Sequence, residues 1–137
     1  MRKLSQYQIL KFLLYAGAVY FAGVTLAHAV GVKIPGLFVF YNVPSYAYQD
    51  RIISFLALGW ATFFFQAART MNPDQIRTIL FIGLVAIIAL VLNIAVTDFI
   101  ELDPSIRDSD FMWIVGGLVF YWLGLVVQSR ALVFQKK

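Results

Sequence analysis

Apolar residues in this chain gather into four runs, each much longer than a core strand needs. They are Phe12 to Val32, interrupted only by Thr25 and His28; Ile52 to Ala68, carrying Ser54, Thr62 and Gln66; Ile79 to Val96, carrying Asn93; and Phe111 to Val127, with no strongly polar group. The runs are 21, 17, 18 and 17 residues long. A helix rising about 1.5 Å per residue crosses about 30 Å of hydrocarbon in roughly 20 residues, with a working range of about 17 to 25. Each run is expected to be a transmembrane helix, the shorter ones borrowing flanking residues. The runs do not alternate, and a four-stranded sheet would leave open edges in lipid, so strands are excluded. The expected fold is an all-α integral membrane protein. It is a single domain over residues 1–137, a four-helix antiparallel bundle spanning 12–32, 52–68, 79–96 and 111–127.

The connections differ in kind. Residues 69–78 are expected to form a tight turn in which Asn72-Pro73-Asp74 ends one helix and starts the next. A link this short predicts that the second and third spans are antiparallel neighbours. Residues 97–110 form an acidic loop around Asp103-Pro104-Ser105. Residues 33–51 are too short and too broken by Pro35, Gly36 and Pro44 to span. With Phe38, Phe40, Tyr41, Tyr46 and Tyr48 they are also too aromatic to float in water. This segment is expected to lie on the membrane interface or to pack over the helix ends.

Charge adds an orientation. Arg2, Lys3, Lys11, Arg69, Arg77, Arg130, Lys136 and Lys137 place 8 of the 11 basic residues on one side, where Asp74 is the lone acid. Lys33, Arg51 and Arg107 fall on the other side, against Asp50, Asp98, Glu101, Asp103, Asp108 and Asp110. The positive-inside rule puts both termini in the cytoplasm and the aromatic segment outside. Basic residues followed by an apolar stretch and Ala27-His28-Ala29 imitate a signal peptide, but the run is longer than a signal core, and a retained helix is expected.

Composition agrees with a lipid solvent: 61% of residues are hydrophobic and 13% charged, against about a quarter charged in soluble domains. The net charge of +4 reflects membrane orientation rather than nucleic-acid binding. Without cysteine there is no disulfide, thiolate chemistry, iron–sulfur cluster or cysteine-bound zinc, and a single histidine excludes a bis-histidine haem within one chain. A bacterial inner membrane is the default location, with an archaeal membrane equally compatible.

Small residues recur at helical spacing: Ala18, Ala22, Gly23 and Ala27 on the first span, Ala57 and Ala61 on the second, Gly117 and Gly124 on the fourth. Close backbone approach is what associates helices in lipid. Packing within the bundle is the plainer expectation; docking against a further subunit is the sharper one.

Polar groups collect near one end. His28 closes the first span, Asp50 and Arg51 enter the second, and Asn93 and Asp98 close the third, with Glu101 just beyond. A histidine facing a carboxylate can relay protons or sense pH, and with two or three carboxylates it can hold a metal. The plainer reading is that His28 bonds a backbone carbonyl and that the helix-end charges cap or snorkel. Gln66 is expected to make an interhelical hydrogen bond. Trp60 lies deep enough to pack against a helix or line a cavity. Trp113 and Trp122 suit the interface or the lipid face. No charge sits mid-span, which argues against a pump, a voltage sensor or a proton-coupled transporter. No nucleotide or metalloprotease motif is present, and no catalytic residue, metal site or intrinsic cofactor is assigned.

Four helices with a long first outer connection and a short cytoplasmic turn give a layout similar to that of the small DoxX-type membrane proteins. The likeness is one of layout, and no site residue follows from it. The leading functional expectation is a non-catalytic accessory subunit packing against a larger membrane complex, or its homo-oligomeric variant. The alternative is a handler of a quinone, lipid or aromatic compound, with a pocket beneath the aromatic segment lined by His28, Trp60 and Asn93. A weaker alternative is a subunit of a quinone-linked oxidoreductase.

Overall fold

The computed structural model describes residues 5–102 and 105–133, with the backbone alone for Ile100 and Leu102. The terminal basic residues Arg2, Lys3, Lys136 and Lys137 and the Asp103-Pro104 pair lie outside the described residues. Five helices follow in order: α1 Gln6–Val30, α2 Ala47–Thr70, α3 Pro73–Val96, α4 Phe99–Leu102 and α5 Asp108–Val133. All but α4 are long and apolar enough to cross a membrane.

The long helices extend past the apolar runs because polar residues cap them. Ser5 and Gln8 form a reciprocal capping box that starts α1. The helix then stops at Val30, short of the expected boundary at Val32. Gly31 takes the left-handed conformation at φ 73° and its N–H reaches the carbonyls of Ala27 and His28. Between α2 and α3 the left-handed residue is Met71 at φ 50°, whose N–H donates to Ala67 O over 2.8 Å. Asn72 Oδ1 accepts from the backbone of Asp74 and Gln75, and Pro73 opens α3 with the φ it is locked into. Asp108 and Asp110 lie in the first turn of α5 and Arg130 in its last, each complementing the helix dipole.

The helices associate as two pairs, α1 with α2 and α3 with α5, joined along an α1–α5 seam. Contacts follow opposing sequence order in both pairs. Tyr15 meets Phe65, Phe21 meets Trp60 and Phe64, and His28 meets Asp50. Arg77 donates to Val133 O through Nε (3.2 Å) and Nη2 (2.7 Å), while Trp122 Nε1 donates to Leu80 O over 2.8 Å. On the seam, Tyr121 OH donates to Leu13 O over 2.8 Å.

The expectation that the second and third spans pack as neighbours needs correction. Although only Met71 and Asn72 separate them, α2 and α3 share little contact. Met71 of their intervening turn is buried in the core, but the helix bodies are each committed to a different partner. The bundle is therefore closed on the α1–α5 side and parted on the α2–α3 side.

Two apolar cores result. At the Arg77 end, Leu10, Leu14, Ala67, Ala68, Met71, Ile76 and Leu125 are buried together. At the His28 end, Ile94, Phe99, Ile106, Phe111 and Val115 form a smaller core, covered by Val39, Phe40 and Val43 of the interhelical segment. The remaining apolar surface faces outward: Trp113 is 84% exposed, Phe120 81% and Phe55 74%. A face this apolar suits lipid rather than water.

The packing residues divide. Ala18, Ala27, Ala57 and Ala61 are buried, and Ala22 is half-buried. Gly23 lies against Leu37 and Gly124 against Leu13. Gly117, expected to pack, lies on an exposed face where a Cβ would meet nothing within 4 Å among the described residues. Two glycines outside the small-residue pattern matter more. A Cβ on Gly17 would stand 2.5 Å from both Phe64 and the Tyr121 hydroxyl, and one on Gly83 would stand 2.9 Å from Trp122. Gly83 is a notch for one large ring and Gly17 for two aromatic side chains.

Candidate functional site

Segment 33–46 forms a series of turns that pack over the helix ends. Leu37 N and Phe38 N both return to Ile34 O around Gly36, at φ 81°. Tyr20 OH of α1 donates to Leu37 O over 2.8 Å, pinning one flank. On the other flank Phe40 packs on Phe99 and Phe111. The aromatic residues that make the segment unfit for water thus bridge the two helix pairs.

Beneath it lies a buried polar cluster. His28 and Asp50, each 7% exposed, meet with Nδ1 2.9 Å from Oδ1. Lys33 Nζ stands 3.3 Å from the same oxygen, and Ser45 Oγ lies 3.0 and 2.9 Å from the two carboxylate oxygens. Asp50 therefore ties the last turn of α1, both ends of the segment and the first turn of α2 into one knot. An ionised carboxylate only accepts, so the His28 proton sits on Nδ1. Nε2 is then left without a hydrogen-bond partner among the described residues. The Phe38 ring meets the imidazole edge-on at 4.3 Å between centroids, which fixes its plane.

The other expected members of a polar cluster are elsewhere. Arg51 is exposed: one residue on from Asp50, it is turned by about 100° around the helix. Asn93 is exposed on α3, and its carbonyl accepts from Thr97. Asp98 caps α4 by accepting from Glu101 N over 3.1 Å. Gln66 is exposed, so the interhelical bond expected of it does not form. Lys33 and Ser45 complete the cluster but were not singled out from sequence. Both belong to a connection whose folding back onto α2 no helical spacing reveals. Among the described residues no third metal-ligating side chain joins His28 and Asp50.

Of two neighbouring cavities, one adjoins the cluster. The smaller, about 310 Å³, lies under the segment and is lined by His28, Lys33, Phe38 and Ser45 at its polar end and by Val24 and Ile53 among its apolar walls. The larger, about 650 Å³, reaches down between the helix pairs, walled by Gly17, Trp60, Phe64, Gly83, Tyr121 and Trp122 among others. Its α3 wall includes Val85 and Ala86, both exposed, so it opens at the molecular surface where α2 and α3 part. Tyr20, Phe21 and Val39 line both cavities. In the larger one, Tyr20, Tyr121 and Trp122 give their polar hydrogens to backbone carbonyls, so they offer the interior mainly ring surface.

The pocket expected to be lined by His28, Trp60 and Asn93 is thus resolved differently. His28 belongs to the smaller cavity, Trp60 to the larger, and Asn93 to neither. Trp122, expected at the interface or on lipid, is half-buried and walls the larger cavity. Comparison with known protein families, characterised proteins and solved structures finds no match, so the functional reading rests on this geometry.

Proposed function

We propose that this protein is a multi-pass protein of a cytoplasmic membrane that takes up a small hydrophobic molecule from the bilayer through the gap between α2 and α3. In this reading the four long helices form an antiparallel bundle, the Arg77 end with both termini faces the cytoplasm, and the His28 end faces out. The observation that carries it is the apolar cavity of about 650 Å³, open at the surface where the two helix pairs part. Small-molecule sites are typically concave, mostly apolar and about 300–1,000 Å³. A protein with no charge mid-span has no use for such a space in ion movement. Hydrophobic-molecule binding therefore displaces the accessory-subunit reading as the better supported one. That second reading keeps one support, the open face at Gly116 and Gly117 on α5, where nothing lies near either glycine. A larger partner recovered in mild detergent would favour it.

The test fills the cavity. The double variant A86F/L118F adds two rings to its walls. In lipid nanodiscs, native mass spectrometry should show the wild-type chain retaining an added decyl-substituted benzoquinone and the variant losing it, with unchanged helical circular dichroism. Equal retention by both proteins would remove the proposal.

A further inference from the structure

Resting on that reading, we infer that the site selects an uncharged amphiphile, one whose hydroxyl head donates to His28 Nε2 while its apolar body extends past Tyr20 and Phe21 into the larger cavity. Three observations converge on this ligand.

The first is adjacency. Tyr20, Phe21 and Val39 line both cavities, so the apolar space below and the polar pocket above lie against one shared set of side chains. A pure hydrocarbon would leave the polar end unused, and a small polar solute would leave the larger cavity unfilled.

The second is the hydrogen-bonding state of His28. Asp50 holds Nδ1 at 2.9 Å, and Ser45 and Lys33 hold Asp50 in turn. The tautomer is thereby fixed, and Nε2 is the acceptor left over. Phe38 against the ring restricts its rotation. With its proton on Nδ1, the imidazole accepts at Nε2 from a ligand hydroxyl.

The third is charge. Among the described residues Lys33 is the one formally charged side chain lining either cavity, and its ammonium is already paired with the Asp50 carboxylate at 3.3 Å. With His28 neutral the cluster sums to zero. An anionic head would have to pull Lys33 away from Asp50, leaving a buried carboxylate short of its cation. A cationic head would meet Lys33 directly.

Three probes of equal chain length and different ends test this in nanodiscs: hexadecanol, palmitate and hexadecane, titrated by native mass spectrometry. Wild-type protein should bind hexadecanol about tenfold more tightly than hexadecane, the margin of one well-placed hydrogen bond. Palmitate should not exceed hexadecanol. In H28N the asparagine amide takes the place of Nδ1 and keeps the bond to Asp50, while nothing replaces Nε2. That variant should lose the tenfold margin and bind hexadecane as before. If H28N does not fold, V24W carries the same test, since Val24 lines the smaller cavity alone. It should exclude the hydroxyl head and spare hexadecane. Hexadecanol binding unchanged in H28N, or in V24W where that variant stands in, overturns the inference, as does palmitate binding tighter than hexadecanol. Loss of all binding in A86F/L118F alongside such a result leaves the cavity reading standing. Hexadecane binding untouched by A86F/L118F brings down that reading itself.

Discussion

The Arg77 end and the His28 end of the bundle are built on opposite principles. At the Arg77 end, side chains from α1, α2, α3 and α5 close on one another with Leu14, Ala67, Ala68 and Ile76 fully buried. At the His28 end, the helices do not close on themselves. A folded-back segment, a polar knot and the smaller cavity occupy the space that side chains fill elsewhere, and the larger cavity runs down from there between the helix pairs. The difference separates two tasks that compete for the same volume. Close packing supplies cohesion in lipid, where no hydrophobic force draws helices together. Unfilled volume supplies a place for a ligand, at the cost of that cohesion. Concentrating packing at one end lets the other stay open.

The largest expected effect lies at the packed end. Leu14→Ala removes a side chain with no exposure and should cost about 3 kcal/mol in unfolding from mixed micelles. A loss equal to that of Leu37→Ala, half-buried at the other end, would break the comparison. Asp50→Ala should rank next. It strands His28, Lys33 and Ser45, but Lys33 is near enough to the surface to reach water, so about 2 kcal/mol is expected. Its signature is local: hydrogen exchange should quicken in residues 31–46 and stay slow around Ala67 and Ala68. Uniform acceleration would mean that the two ends unfold as one. Gly17→Ala sits between the regions and should cost about 1–2 kcal/mol, because Phe64 and Tyr121 must both give way. A shift of the Trp60 emission maximum would show that the displaced rings move into the larger cavity. Lys33→Met should be smallest, about 1 kcal/mol, as its ammonium is partly solvated and His28 and Ser45 still bond the Asp50 carboxylate. If the charge argument is right, this substitution changes head selectivity far more than melting temperature.

The two regions also differ in how far sequence alone reveals them. The four spans were legible because uninterrupted apolar length is a property of one segment at a time. Their ends were less so: Ser5, Gly31 and Asn72 extend or stop helices through capping bonds that hydropathy does not register. His28 and Asp50 were both visible as polar residues at one depth, yet so were Arg51, Asn93 and Asp98. Separating them required knowing which helix faces meet. The apolar runs carry almost no face information, because lipid and neighbouring helices accept the same residues. The notches at Gly17 and Gly83 escaped for a related reason. A spaced repeat of small residues signals two backbones in close approach, whereas a single glycine receiving aromatic side chains leaves no repeat. The parting of α2 from α3 ran against their short connection, since chain proximity at a turn does not oblige two helices to stay together beyond it.

That turn has a mechanical consequence. Met71, an unbranched side chain held in a left-handed conformation and buried in the packed end, acts with Asn72 as the pivot of a pair of compasses whose legs are α2 and α3. The 24 residues of α3 make a leg of about 36 Å, so a rotation of about 5° at the pivot displaces its far tip by about 3 Å. In the proposed reading, the width of the gap through which a ligand enters would follow the backbone angles of this turn.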